Sequence, residues 1–333
     1  MKPAALLVFL VFLLAAANDA SAQARTSRPI TLGGVHAGIR RSLGLSPPVV
    51  NSGYVSLAAP ATPAVPVFSY LHIDEIHSGF TDPQSGLQTT PWDVYEDIMF
   101  PGTTIEWRVG QATTPSLDGR ALECAITGGD HYNNIYCNTT IAKLWSGQEW
   151  PYRAAKRLVY SLEFYIDGVV DCQMSDNSTI EGLELSWQHV LIPRKHEFAL
   201  QWRKEGEWRY WDATLSPSTG RPRGWISFPA PITSCLEAHR WHSIQLEGRI
   251  VGEASHYTRM TLDGRAFDLS SAIVGQVATP AEWHENFLQV SVQVNGNTAL
   301  DGSRRVDPVS VYADTIRLDG FALNYVFLPG ISR

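Results

Sequence analysis

Charge is scarce in this chain. Asp, Glu, Lys and Arg make up 18% of its 333 residues, against about a quarter in ordinary globular domains. The formal net charge is −7, and the basic residues form no cluster. A mildly acidic chain without a basic patch lacks the electrostatic footprint for nucleic acid or anionic lipid. Long apolar runs are missing too. The one at the start, Ala4–Ala17, covers 14 residues, whereas a helix that spans a bilayer takes about 20. No membrane insertion is expected.

Several chemical signatures are also absent. There is no Gly-x-Ser-x-Gly elbow, so a serine hydrolase of that type is excluded. The histidines of "HRWH", His239 and His242, do not have the i, i+4 spacing of a zinc protease helix. Cysteine is limited to Cys124, Cys137, Cys172 and Cys235, none within four residues of another, which argues against a zinc site. No cofactor is expected and no metal ligand is assigned. Asp-Gly loops leave room for a structural calcium, although no oxygen-rich ligand loop stands out. Amphipathic helices are absent beyond a couple of turns; only "SLDGRALECAI" and "ATPAEWHENFL" could hold one.

What is present points outward from the cell. An early Lys2, the Ala4–Ala17 run and the small residues Ala20-Ser21-Ala22 have the form of a secretory signal peptide cut after Ala22. Secretion, to the periplasm or the medium, is therefore expected. In that oxidising setting four cysteines read as two disulfides, for which three pairings exist. Cys124–Cys137 and Cys172–Cys235 are favoured, the first because it closes a short loop. Residues 23–66 are rich in Ala, Pro, Gly and Ser and end in "AAPATPAVP", an extended linker by composition. All eleven tryptophans lie between Trp92 and Trp283, which marks the ordered part. A single domain is expected over 67–333.

Within it the pattern is β. Apolar residues alternate in "RLVYSLEFYIDG" (Leu158, Tyr160, Leu162, Phe164, Ile166), "EGLELSWQ" (Leu183, Leu185, Trp187) and "EFALQWR" (Phe198, Leu200, Trp202). They do so again in "WHSIQLEG" (His242, Ile244, Leu246), "YTRMTLDG" (Thr258, Met260, Leu262) and "FLQVSVQVNG" (Leu288, Val290, Val292, Val294). Period two marks half-buried strands, and Gly-rich turns separate them. "YTRMTLDGRAFDL" reads as a hairpin with Asp263-Gly264 at a primed turn. Many short antiparallel strands in one domain predict an all-β jelly-roll sandwich of two antiparallel sheets.

"GLELSW", "FALQW", "RWHSIQLEGRI" and "RMTLDGRAFDL", taken in order with "PSLDGRALECAITGGDHYNNIYCNT", resemble the concanavalin A-like lectin/glucanase superfamily over Pro115–Tyr325. The resemblance implies two antiparallel sheets, one concave and often used to hold sugars. Fold alone does not choose between the lectins, glycosidases, lyases and adhesive modules of that superfamily. In its glucanases a Glu-x-Asp-x-Glu strand delivers the catalytic carboxylates. Here the matching positions are Glu184, Ser186 and Gln188. One acid remains and two neutral groups replace the others, so the retaining mechanism, which needs two carboxyl groups about 5–5.5 Å apart, is disabled. Glu163, on the outward side of its own strand, is the candidate second acid for a hydrolase or lyase built on Glu184.

The residues opposite the apolar rows favour binding over catalysis. Glu184, Ser186, Gln188, Gln201, Arg203, Gln289 and Gln293 are the candidate contacts; amides and hydroxyls both donate and accept. Ser243 and Gln245 extend that polar set. Trp208, Tyr210, Trp211 and Trp225 are candidates to stack on a sugar ring, with Trp211 foremost, while Trp187, Trp202 and Trp241 read as core. The expected partner is a polysaccharide or other glycan. The alternatives are a polysaccharide hydrolase or lyase, and an extracellular adhesive module that binds protein. Oligomeric state has no signature in this sequence.

Overall fold

Seventeen strands run through the described residues of the computed structural model, which are 65–74, 91–98, 100, 102–145 and 147–323. The expected leader (1–22) and residues 23–64 of the expected linker lie outside them. In chain order the strands are β1 (Phe68–Tyr70), β2 (Asp93–Asp97), β3 (Ile105–Ala112), β4 (Ala121–Gly128), β5 (Asn134–Trp145) and β6 (Ala155–Asp167). There follow β7 (Ile180–Leu191), β8 (Arg194–Arg203), β9 (Glu207–Leu215), β10 (Pro222–Thr233), β11 (Trp241–Val251) and β12 (Ala254–Leu262). The last are β13 (Arg265–Asp268), β14 (Ile273–Gly275), β15 (Val277–Ala278), β16 (Glu285–Gly296) and β17 (Val309–Ala322).

They form two antiparallel sheets. One has nine strands along the path β13-β12-β11-β6-β17-β4-β3, with β1 and β14 attached to β17 and β12. The other has eight, along β10-β9-β8-β7-β16-β5-β2, with β15 attached to β8. This is the all-β jelly-roll sandwich expected from the alternation. The last strand closes on the first, since Phe68 faces Gly320 and Tyr70 faces Leu318.

One apolar layer lies between the sheets. Tyr160, Leu162 and Phe164 of β6 enter it from one side, and Leu183, Leu185 and Trp187 of β7 from the other. Trp187 stacks on Phe198 at 3.9 Å, and Phe198 packs on Tyr257 at 5.1 Å. Gly248 is required beside this stack, because a Cβ there would stand 2.3 Å from Phe198 Cε1. The same glycine marks a bulge in which the β11–β12 register shifts between Glu247 and Gly248. A bulge moves every later side chain of the strand to the other face. Tyr257 is consequently buried and Thr258 only half-buried, the reverse of the simple alternation read for that strand.

Neither segment allowed as a helix is helical. "SLDGRALECAI" ends in β4, where Leu122, Cys124 and Ile126 alternate into the core, and "ATPAEWHENFL" runs into β16. Tertiary pairing overrode a weak helical propensity. The one helical turn described is a 3₁₀ turn over Ser175–Asn177. No helix among the described residues is long and apolar enough to cross a membrane. The Asp263-Gly264 hairpin forms with both residues at positive φ, 49° and 78°, the requirement of a type I′ turn.

Both favoured disulfides are present, Cys124–Cys137 and Cys172–Cys235. Although thirteen residues separate the first pair, it does not close a hairpin. Cys124 lies on β4 and Cys137 on β5, in different sheets, so the bond ties the sandwich together face to face. Two disulfides accord with an oxidising compartment.

Candidate functional site

The eight-stranded sheet carries a polar outward face whose rows follow from strand register. On one row Tyr95 faces Tyr136, Tyr136 faces Gln293, Gln293 faces Glu184, Glu184 faces Gln201, and Gln201 faces Arg209. The next row holds Asp93, Asn138, Ser291, Ser186 and Ala199; beyond the β8–β9 pairing, Trp211 faces Trp225. These positions face outward because Leu183, Leu185 and Trp187, which alternate with Glu184 and Ser186, fill the core. Neighbouring strands lie about 4.8 Å apart along each row.

Glu184 is the centre of the face. Its Oε1 accepts a hydrogen bond from Gln201 Nε2 at 2.7 Å. Burial pushes its carboxyl up to about 8; hydrogen bonds from Gln201 and Asn295 oppose the shift, and the charges of Asp97 and Glu197 add to it. Near neutrality Glu184 is therefore a protonated, neutral group that donates as well as accepts. Burial likewise raises the Tyr136 hydroxyl well above its usual range, with the Glu184 charge next in weight. Gln293 Nε2 donates to Asn295 Oδ1 at 2.9 Å. Two buried acceptors on this face, Gln293 Oε1 and Asn134 Oδ1, have no hydrogen-bond partner.

The other expected contacts are arranged around it. Ser186 Oγ lies 2.5 Å from Ser291 Oγ. Gln188 Nε2 donates to Glu197 Oε1 at 3.1 Å, and Gln289 Nε2 to Asn138 Oδ1 at 3.1 Å. Arg203 is held by Glu181, 3.1 Å away. Trp211, half-buried, meets Trp225 at 5.3 Å with the rings at 63°. At the far end of the rows Tyr95 and Tyr136 pack at 5.9 Å.

Three expectations fail on geometry. Glu163 does not approach Glu184: it lies on β6 of the nine-stranded sheet, opposite Ser243 and Asp314, and faces outward on the other side of the sandwich. The full core separates the two acids. Glu163 instead borders a depression of about 250 Å³ lined by Ser161, Ser243, Gln245, Thr261 and Thr315, so Ser243 and Gln245 belong with it and not with the Glu184 row. Trp208 is fully buried and Tyr210 turns inward onto Tyr257 at 5.5 Å, while Trp241 is half-buried against Tyr165 at 5.6 Å.

Two further acids lie on the same face as Glu184. Asp97 is three strands away, and Glu197 stands opposite Gln188, four residues along β7. Each displacement is about 14 Å at the backbone, and both charges still reach the Glu184 carboxyl and add to its rise.

The contribution of β5 and β2 went unread in the sequence. Asn134, Tyr136, Asn138 and Thr140 alternate with Ile135, Cys137 and Ile141. That period-two signal lies in "NNIYCNTTI" and identifies the strand. Its place beside β16 is a matter of tertiary pairing.

No protein-family model matches this chain, and no curated protein sequence is similar to it. Solved structures with some likeness include a marine PL-14 alginate lyase from Aplysia kurodai, at 12% identity and TM-score 0.41, over 77% of this chain and 99% of that one. A β-1,3-glucanase from Mycobacterium marinum matches at 12% identity and TM-score 0.31, over 77% and 100%. A family 16 glycosyl hydrolase from Mycobacterium smegmatis matches at 12% identity and TM-score 0.32, over 76% and 100%. None of these likenesses reaches a TM-score of 0.5, and none bears on the chemistry of the face.

Proposed function

We propose that this protein is a secreted, lectin-like carbohydrate-binding protein that holds a polysaccharide along the Glu184 row of its eight-stranded sheet. The observation that carries the reading is the pair of buried acceptors without donors, Gln293 Oε1 and Asn134 Oδ1, beside a neutral Glu184. A buried acceptor without a donor is costly and rare. The hydroxyl groups of a sugar would supply donors at both positions. The Tyr95–Tyr136 pair at one end of this row and the Trp211–Trp225 pair beside its other end offer apolar ring faces around a few polar groups, the usual make-up of a ligand site. Binding without cutting accords with a protonated Glu184 carboxyl and with Ser186 and Gln188 where two further carboxylates would stand.

The test is a glycan array followed by calorimetry on the best polysaccharide, with reducing-end and unsaturated-product assays on the same material. Gln201→Ala and Gln293→Ala each weaken binding about tenfold, the equivalent of roughly 1.4 kcal/mol and one good hydrogen bond. Gln245→Ala, on the opposite sheet, leaves affinity unchanged. Undiminished binding in a Gln201→Ala/Gln293→Ala protein sinks the assignment to this face. Release of products that Glu184→Gln abolishes makes the protein an enzyme instead, and retention of a protein partner with indifference to every sugar makes it an adhesive module.

A further inference from the structure

The side of the sandwich away from Glu184 has a recess of its own. The depression beside Glu163, about 250 Å³, is lined by Ser161 of β6, Ser243 and Gln245 of β11, Thr261 of β12 and Thr315 of β17. Strand register assembles it. Glu163 faces Ser243, and Ser161 faces Gln245, which in turn faces Thr261. Thr315 joins them from the bulge where β17 shifts register against β6, with a positive φ of 51°.

Glu163 is half-buried there, and among the described residues its carboxylate has no hydrogen-bond donor and no ion-pair partner. Burial raises its pKa, the charges of Asp263 and Asp314 add to the rise, and His242 opposes it. The arginines of this region are engaged elsewhere: Arg240 is 3.1 Å from Glu237, and Arg317 is 2.6 Å from Asp319. The hydroxyls of Ser161, Ser243, Thr261 and Thr315 are likewise without a partner among the described residues. Beside this polar floor runs an aromatic row. Trp241 faces Tyr165 and Tyr165 faces Tyr312, with ring centroids 5.6 and 6.2 Å apart. Trp241 and Tyr165 are half-buried. They stand two residues along their strands from Ser243 and Glu163, about 7 Å at the backbone.

We propose that this recess binds an amino sugar, with the ammonium group on Glu163 and the ring against Trp241 and Tyr165. A half-buried carboxylate without a counter-charge, beside further negative charges, selects a cation. Hydroxyl oxygens around it accept the other ammonium hydrogens. An aromatic face attracts the same charge within about 6 Å of its centre. The floor of hydroxyls with one amide matches a hydroxylated ring better than a bare alkyl amine. The recess is smaller than the roughly 300–1,000 Å³ of drug-sized pockets, which limits the ligand to one small residue. It shares no side chain with the Glu184 row, so ligands of the two faces do not compete.

Calorimetry and saturation-transfer NMR on the full-length protein test this with three probes: methyl β-D-glucosaminide, its N-acetyl derivative and methyl β-D-glucoside. At slightly acidic pH, where the amine is charged, the glucosaminide binds at a single site at least about tenfold tighter than either neutral sugar, the gain of one charge-assisted contact. Glu163→Gln abolishes that preference and keeps the wild-type far-UV spectrum. Trp241→Ala weakens glucosaminide binding about tenfold; should that variant fail to fold, Glu163→Gln carries the test. Four results overturn the proposal. The first is no binding of the glucosaminide, or equal binding of its N-acetyl derivative. The second is a preference for the amine that survives Glu163→Gln. The third is a loss in Gln201→Ala as large as in Glu163→Gln, which would put the sugar on the other sheet. The fourth is equal affinity for Nα-acetyl-lysine amide, which would make this a site for alkyl amines.

Discussion

Measured against a Glu184→Gln variant, the wild-type protein loses about 5 kcal/mol of stability as pH rises from 4.5 to 8. The Glu184 carboxyl ionises near 4.5 in the unfolded chain and is raised to about 8 in the folded one. Between those values the folded state keeps a proton that the unfolded state has released, so rising pH favours unfolding. The contribution is fully present below pH 4.5 and is lost as pH climbs to 8; above that both states are ionised and the slope vanishes. A gap of about 3.5 pH units at roughly 1.36 kcal/mol each sets the size. Burial causes the shift, and a glutamine at 184 cannot titrate.

The comparison must be a difference between two proteins because other buried groups pull the opposite way. His189 and His196 are lowered to about 3 and about 4, chiefly by burial. Their neutral forms are fixed in the fold: His189 Nε2 accepts from Trp150 Nε1 at 3.0 Å, and His196 Nδ1 lies 3.1 Å from Ser255 Oγ. Below pH 6.5 the unfolded chain protonates them first, so they cost stability on acidification. Both histidines are common to the two proteins and cancel. Urea unfolding at matched pH values measures the difference, and parallel profiles for wild type and Glu184→Gln would dispose of a buried neutral carboxyl on the sheet face.

Replacing Cys172 and Cys235 together with serine costs about 4 kcal/mol, the second large effect. The pair closes a loop over 63 residues, and the entropy it removes from the unfolded chain grows with the logarithm of that length. The Cys124–Cys137 bond spans only 13 residues, and its double replacement costs about 3 kcal/mol. The longer loop contains β7 and β8, and with them Glu184 and Gln201. Near the bond, Asp171 accepts from the Gln173 and Met174 N–H groups, and Thr179 Oγ1 accepts from the Val169 N–H. Denaturant titration of the two double variants decides the order. A larger loss from the Cys124–Cys137 pair would mean that its bridge between the sheets outweighs chain entropy.

Core and strand content were legible because alternation is a local property. Leu183, Leu185 and Trp187 could be assigned to the interior from a nine-residue window, and so could Tyr160, Leu162 and Phe164. The assignment failed at Thr258, since the bulge at Gly248 that reverses the face depends on Phe198 of another strand. It failed again at Trp208 and Tyr210, whose position beside polar turn residues said nothing of what β9 packs against.

The candidate site was legible only in parts. Glu184, Ser186, Gln201 and Gln293 were each identifiable as outward polar groups, and they do share one face. Glu163 and Gln245 carried the same outward signature and belong to the opposite face. Tyr136 continues the row and Asn134 lies on the same face, but both drew no notice, because nothing in β5 says that β16 will be its neighbour.

The sequence by itself therefore determined an all-β sandwich and the inward side of most strands, both properties of short segments and of their composition. Only the tertiary structure decided which outward sides form a common surface. The reason is physical: a strand's pleat sets the two faces locally, but antiparallel pairing between distant segments sets the neighbours. A functional row of side chains is made of neighbours.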